Sequence, residues 1–314
     1  MKTWFPAPQR TVKALASAAV VVLGLWVTPT LAGDPFRPTN PRNIDPNTEA
    51  AFESIFKQGD YKTAQQYLRQ AESGEPKEPL VYAMLASLAY LDAKAQSKPN
   101  LEVFSNYATK TRETGEQMAA TDPLRGNLYT AVGHFLEGAY NFEQEGPVRA
   151  LNKLQKVFHY LDEAKKSDPQ DPELNLLTGY MDLMLAVNLP FSDPAEAIKK
   201  LEDYGYPKYL AYRGIAVGYR DLKKYSQALD YVNRALELTP DNPEVLYLKA
   251  QILLHLDKTQ EALTFFNRAL EKKAQLPNYS AAQITYEQCK AQNSLDNGAR
   301  NCRDLRNQVR AGNN

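Results

Sequence analysis

The sequence predicts an all-α protein, a right-handed α-α superhelix of about six helix pairs with capping helices at its C-terminal end. Three observations predict it. Apolar residues recur at helical spacing from residue 47 onward, with no sustained period-2 alternation. Alanines repeat at an offset of 34 residues, with Ala216, Ala228 and Ala235 returning as Ala250, Ala262 and Ala269. Prolines after acidic or polar residues mark a regular beat at Pro76, Pro123, Pro169, Pro207, Pro240 and Pro277. Proline ends one helix and sits comfortably at the first position of the next, so the beat marks unit boundaries.

Residues 1–32 read as a secretory signal peptide. Lys2, Arg10 and Lys13 form a positive n-region, residues 14–27 an apolar stretch, and Thr30, Leu31 and Ala32 the small-residue end that a signal peptidase inspects. The apolar stretch is short for a bilayer, which needs roughly 20 residues, so no stable span is expected after cleavage. An uncleaved anchor is the alternative. Residues 33–46 carry several prolines without helical period and read as an extended linker or arm, either free or lying on the first repeat.

The units then fall at about 45–78, 79–125, 126–171, 172–208, 209–242 and 243–277, making a solenoid over residues 47–277. Units two and three are stretched by about a dozen residues relative to the 34-residue period. The apolar stretch 181–191 is expected to be a buried first helix overrunning into a loop at Pro190, or a rim for a partner. Residues 278–314 read as a capping helix and tail, as a solenoid needs a last element with one polar face.

Residues 209–240 carry the resemblance to a known family. Tyr212, Ile215, Ala216 and Tyr219 stand in the first helix where tetratricopeptide repeats place a large aromatic, Leu, a small residue and Tyr. Ala228, Val232 and Ala235 follow in the second helix, and Pro240 closes the unit. The next unit is similar but has Lys249 where an apolar residue is expected. The chain thus resembles the tetratricopeptide-repeat (TPR) family, and among its members the exported proteins of Gram-negative envelopes, cyanobacteria included. The resemblance implies a TPR-like solenoid that binds a protein or peptide partner in a concave groove lined by first helices. Carried over position by position, the groove residues are Tyr90, His134, Tyr180, Met184, Arg213, Arg220, Tyr247, Gln251 and His255. The carboxylate-clamp branch is not supported, because Val217 stands where it needs Asn.

The chain has 37 basic and 37 acidic residues, and loss of the leader leaves 34 against 37, a formal charge of −3. No basic field points to nucleic acid. His134, His159 and His255 have no ligand spacing, Gly-rich phosphate loops are missing, and no acid, base and nucleophile set assembles, so neither enzyme, metal nor cofactor is expected. Cys289 and Cys302, flanking the turn signal Asp296-Asn297-Gly298, suit a disulfide in an oxidising compartment, with two free thiols as the alternative. These readings describe a non-enzymatic scaffold or adaptor of the periplasm, or of a thylakoid lumen. A self-associating structural envelope protein, forming homo-oligomers, or a cell-wall-binding protein are the alternatives.

Overall fold

A computed structural model describes residues 33–96, 98–188 and 194–312. Residues 1–32, where a signal peptide is expected, and the segment around Pro190 lie outside these residues. The described chain is helical with no strand, and its α-helices pack in consecutive antiparallel pairs. The pairs are α1 (Pro46–Glu53, continued by a π turn, Ser54–Gln58) with α2 (Tyr61–Gly74), α3 (Pro79–Ala95) with α4 (Glu102–Met118), and α5 (Pro123–Glu145) with α6 (Pro147–Ser167). They continue as α7 (Pro172–Asn188) with α8 (Pro194–Asp203), α9 (Lys208–Asp221) with α10 (Tyr225–Leu238), and α11 (Pro243–His255) with α12 (Thr259–Glu271). A 3₁₀ turn, Lys273–Gln275, leads to α13 (Asn278–Asp296) and α14 (Cys302–Arg310).

Local chemistry sets the starts. Asp45, Asp60, Asp122 and Asp171 each accept a hydrogen bond from the backbone N–H three residues on, satisfying a donor that the helix leaves open. Pro46, Pro79, Pro123 and Pro243 occupy first-turn positions, where a missing N–H does no harm. Unit three begins at Pro123, three residues ahead of the boundary expected at 126. Its helices run 23 and 21 residues, against 13 each in α11 and α12.

Small residues let the helices approach. Ala228, Ala235, Ala262 and Ala269 are fully buried, and a Cβ on Gly133 would lie 2.5 Å from the backbone of Arg112 in α4. Lys249, unexpected at an apolar position, lays its ammonium 4.2 Å from the Phe265 ring centroid, and burial lowers its pKa.

The solenoid returns on itself. Asn242, which caps α11, donates from Nδ2 to the Phe56 carbonyl at 3.1 Å. Gly59, in the left-handed region at φ 69°, sits so close to α11 that a Cβ would meet Pro243 Cδ at 2.6 Å. At the other end α13 packs on α3, and Arg310 of α14 donates to the carbonyls of Lys94, Ala95 and Gln96 at the C-terminus of α3, where a cation complements the helix dipole. The C-terminal segment is therefore a seventh helix pair, and the Cys289–Cys302 disulfide ties α13 to α14 with Cα atoms 5.5 Å apart.

The arm is ordered, and it lands on unit four as well as on unit one. Phe36 packs edge-on against Phe52, centroids 4.8 Å apart, and both are buried. Arg37 and Arg42 pair with Asp171, the cap of α7, and Arg42 also pairs with Glu173 at 2.7 Å.

Candidate functional site

Two surfaces emerge where first helices face inward. The first is a chamber of about 600 Å³. Each wall helix presents one stripe at helical spacing, as with Leu80, Ala83, Met84 and Ser87 of α3. Residues of α5, α7 and α9 continue the wall, while Phe36, Phe52, Phe56 and Tyr61 close one end.

Polar groups of this wall are engaged within the chain. Tyr129 donates to Glu173 Oε1 at 2.5 Å and Tyr180 to the Leu210 carbonyl at 2.7 Å. Arg213 pairs with Glu244 at 3.1 Å. Burial pushes the Tyr180 phenol up to about 12, with Arg213 pulling the other way. Burial lowers the pKa of Arg213, but Glu244 together with Tyr180 and Tyr61 outweighs it and the net shift is upward.

Behind the chamber lies a buried ionic cluster that fixes its walls. Arg125 donates from Nε to Glu173 at 3.1 Å and from both terminal nitrogens to Glu78 at 2.8 and 3.0 Å. Burial opposes the charge on Arg125, yet Glu173 and Glu78 hold its pKa well above the ordinary value. The cluster joins the arm, the start of α3, α5 and α7 in one network. Nothing in the local sequence signals it.

The second surface is a polar ladder across α9, α11 and α13. Arg220 donates to Gln251 Oε1 at 2.7 Å, and Gln251 donates to the Tyr247 oxygen at 2.8 Å and to Glu287 at 2.9 Å. Tyr247 donates to Glu287 at 2.7 Å, as does Gln283. All five side chains are half-buried, so each keeps one edge at the surface. Burial, then Glu287, raises the Tyr247 pKa.

The nine groove residues expected from the sequence thus separate. Tyr180, Met184 and Arg213 line the chamber, and Arg220, Tyr247 and Gln251 build the ladder. His255 stacks on Tyr225 at 4.6 Å, an intra-unit contact with α10. Tyr90 packs on Phe104 and donates to Glu143 at 2.9 Å. His134 is buried in α5, stacked on Tyr160 of α6 and bonded to Glu137, so it is turned into its own hairpin and not to a groove. Tyr90 and His134 belong to the two stretched units, where a 34-residue frame no longer predicts which face a position takes.

The stacking of α9 to α13 in short antiparallel pairs coincides with a match to a family model. Residues 219–284 match the tetratricopeptide repeat. This part of the chain carries tetratricopeptide repeat sequence. Comparison with curated proteins finds no match. The TPR match covers α10 to α12 with the adjoining parts of α9 and α13, and so includes Arg220, Tyr247, Gln251 and Gln283 of the ladder, with Glu287 lying just beyond it in α13. A TPR stack is a scaffold for protein contacts, since its surface is a set of side-chain rows on rigid helices. No helix among the described residues is long and apolar enough to cross a membrane.

Proposed function

We propose that this chain is a non-enzymatic interaction scaffold of the bacterial cell envelope that holds a segment of a partner protein along its concave face. The observation that carries the reading is the ladder Arg220, Gln251, Tyr247, Glu287 and Gln283. Three successive first-type helices offer a row of half-exposed donors and acceptors, pre-ordered by their own hydrogen bonds. Arg and Tyr are common anchors of protein interfaces, and an extended segment can exchange hydrogen bonds with such a row. The envelope assignment draws support from the leader pattern at residues 1–32 and from the Cys289–Cys302 pair, which suits an oxidising compartment.

The test is recovery of the partner from the exported fraction with the parent chain and with Arg220→Ala combined with Tyr247→Phe. The phenylalanine keeps the packing on Phe266 and removes only the hydroxyl. A partner recovered by the parent and reduced by about tenfold with the double variant supports the reading. Equal recovery from both removes the ladder from it.

A further inference from the structure

The chamber has a closed end and an open one, and the two differ in chemistry. Phe36 and Phe52 at the closed end are 2% exposed. Along α3, α7 and α9 burial then gives way to exposure, ending at Ser87, Met184 and Asp221. The mouth therefore lies at the C-terminal end of α9, near that of α7 and level with the middle of α3, with the Arg220–Asp221 pair on its edge. The volume of about 600 Å³ falls within the roughly 300–1,000 Å³ of small-molecule sites.

What fits is decided by hydrogen bonding. The wall hydroxyls of Tyr129 and Tyr180 and the guanidinium of Arg213 already serve Glu173, the Leu210 carbonyl and Glu244. An extended peptide entering the chamber would leave its own N–H and C=O groups without partners. A helical peptide brings its own backbone bonds but is about 10 Å across, and would exhaust the space in fewer than about two turns. A flexible hydrocarbon chain needs no partners, and it is matched by aromatic and aliphatic walls.

We infer that the chamber holds the hydrocarbon chain of an amphiphile, of the fatty-acyl or isoprenoid kind, with its polar end at the mouth beside Ser87 and the Arg220–Asp221 pair. This goes beyond the scaffold reading, which concerns the ladder, and the two fail in different experiments.

The test titrates the full chain with cis-parinaric acid, a fluorescent long-chain fatty acid. Binding should saturate at one per chain, and palmitate should displace the probe while butyrate does not. Val217→Trp places bulk inside the chamber, and Ser87→Trp blocks the mouth from an exposed position that the core does not depend on. Each should weaken binding by about tenfold or more with the melting temperature retained. The inference is overturned by a titration that never saturates, or by undiminished binding to a folded Ser87→Trp chain.

Discussion

Arg42 of the arm places Nη1 2.7 Å from Glu173 in the first turn of α7, across 131 residues of chain. Glu173 also receives Arg125 and Tyr129, so a single buried carboxylate ties together the arm, α5 and α7. Removing one member of such a cluster leaves an uncompensated buried charge. Arg125→Met should destabilise the chain by about 3–5 kcal/mol. Arg125→Met with Glu173→Leu should recover much of that loss. Urea unfolding followed by circular dichroism reads both, and a single variant as stable as the parent would contradict the account.

Phe36 anchors the arm. Its replacement by alanine deletes the edge-on contact with Phe52 and should destabilise by about 3–5 kcal/mol if the arm unfolds with the rest. If the arm opens by itself, hydrogen exchange will rise in residues 34–44 and at the start of α7 while the global midpoint holds. Either outcome places the arm on α7. Unchanged exchange at α7 would not.

The helix pairs were legible in the sequence because their signals are local. A cap such as Asp60 or Asp122, a proline at the first turn and alanines 34 residues apart all lie within one unit. The ladder was partly legible for the same reason, as Arg220, Tyr247 and Gln251 sit in units of regular length. The landing of Arg37 and Arg42 on Asp171 and Glu173 was not, since no local pattern encodes contacts 129–134 residues apart. Nor was the chamber, whose closed end depends on where Phe36 and Phe52 arrive from outside its wall helices. The groove place expected for His134 from the 34-residue frame fails because His134 lies in the lengthened α5 and faces Tyr160 of α6.

Glu137 provides a pH-dependent contribution. Burial alone would raise its pKa, but hydrogen bonds from His134, Lys153 and Arg112 lower it from 4.5 to about 2. A depressed carboxylate stabilises fully above its unfolded pKa and loses that contribution as pH falls through the folded one. Stability should therefore drop between about pH 4.5 and pH 2, by about 1–2 kcal/mol once solvent screening is allowed for. Glu137→Gln should remove this part of the acid dependence, seen as a flatter melting temperature against pH than the parent gives.

The disulfide closes a loop with a sequence separation of 13 and holds α14, whose Arg310 grips the end of α3. Cys302→Ser should destabilise the last pair by about 3 kcal/mol on the chain-entropy model. It should also expose the α3 C-terminus to hydrogen exchange. Protection at residues 93–95 that does not change would show that α14 docks without the bond.

The most direct measurement of the central claim is site-specific photocrosslinking in living cells, with the probe at Gln251 on the ladder and, as a control, at the exposed Thr264 on the outer helix α12. The account predicts one defined protein adduct from position 251 and none from 264. An adduct of the same protein from 264 but not from 251 would contradict it.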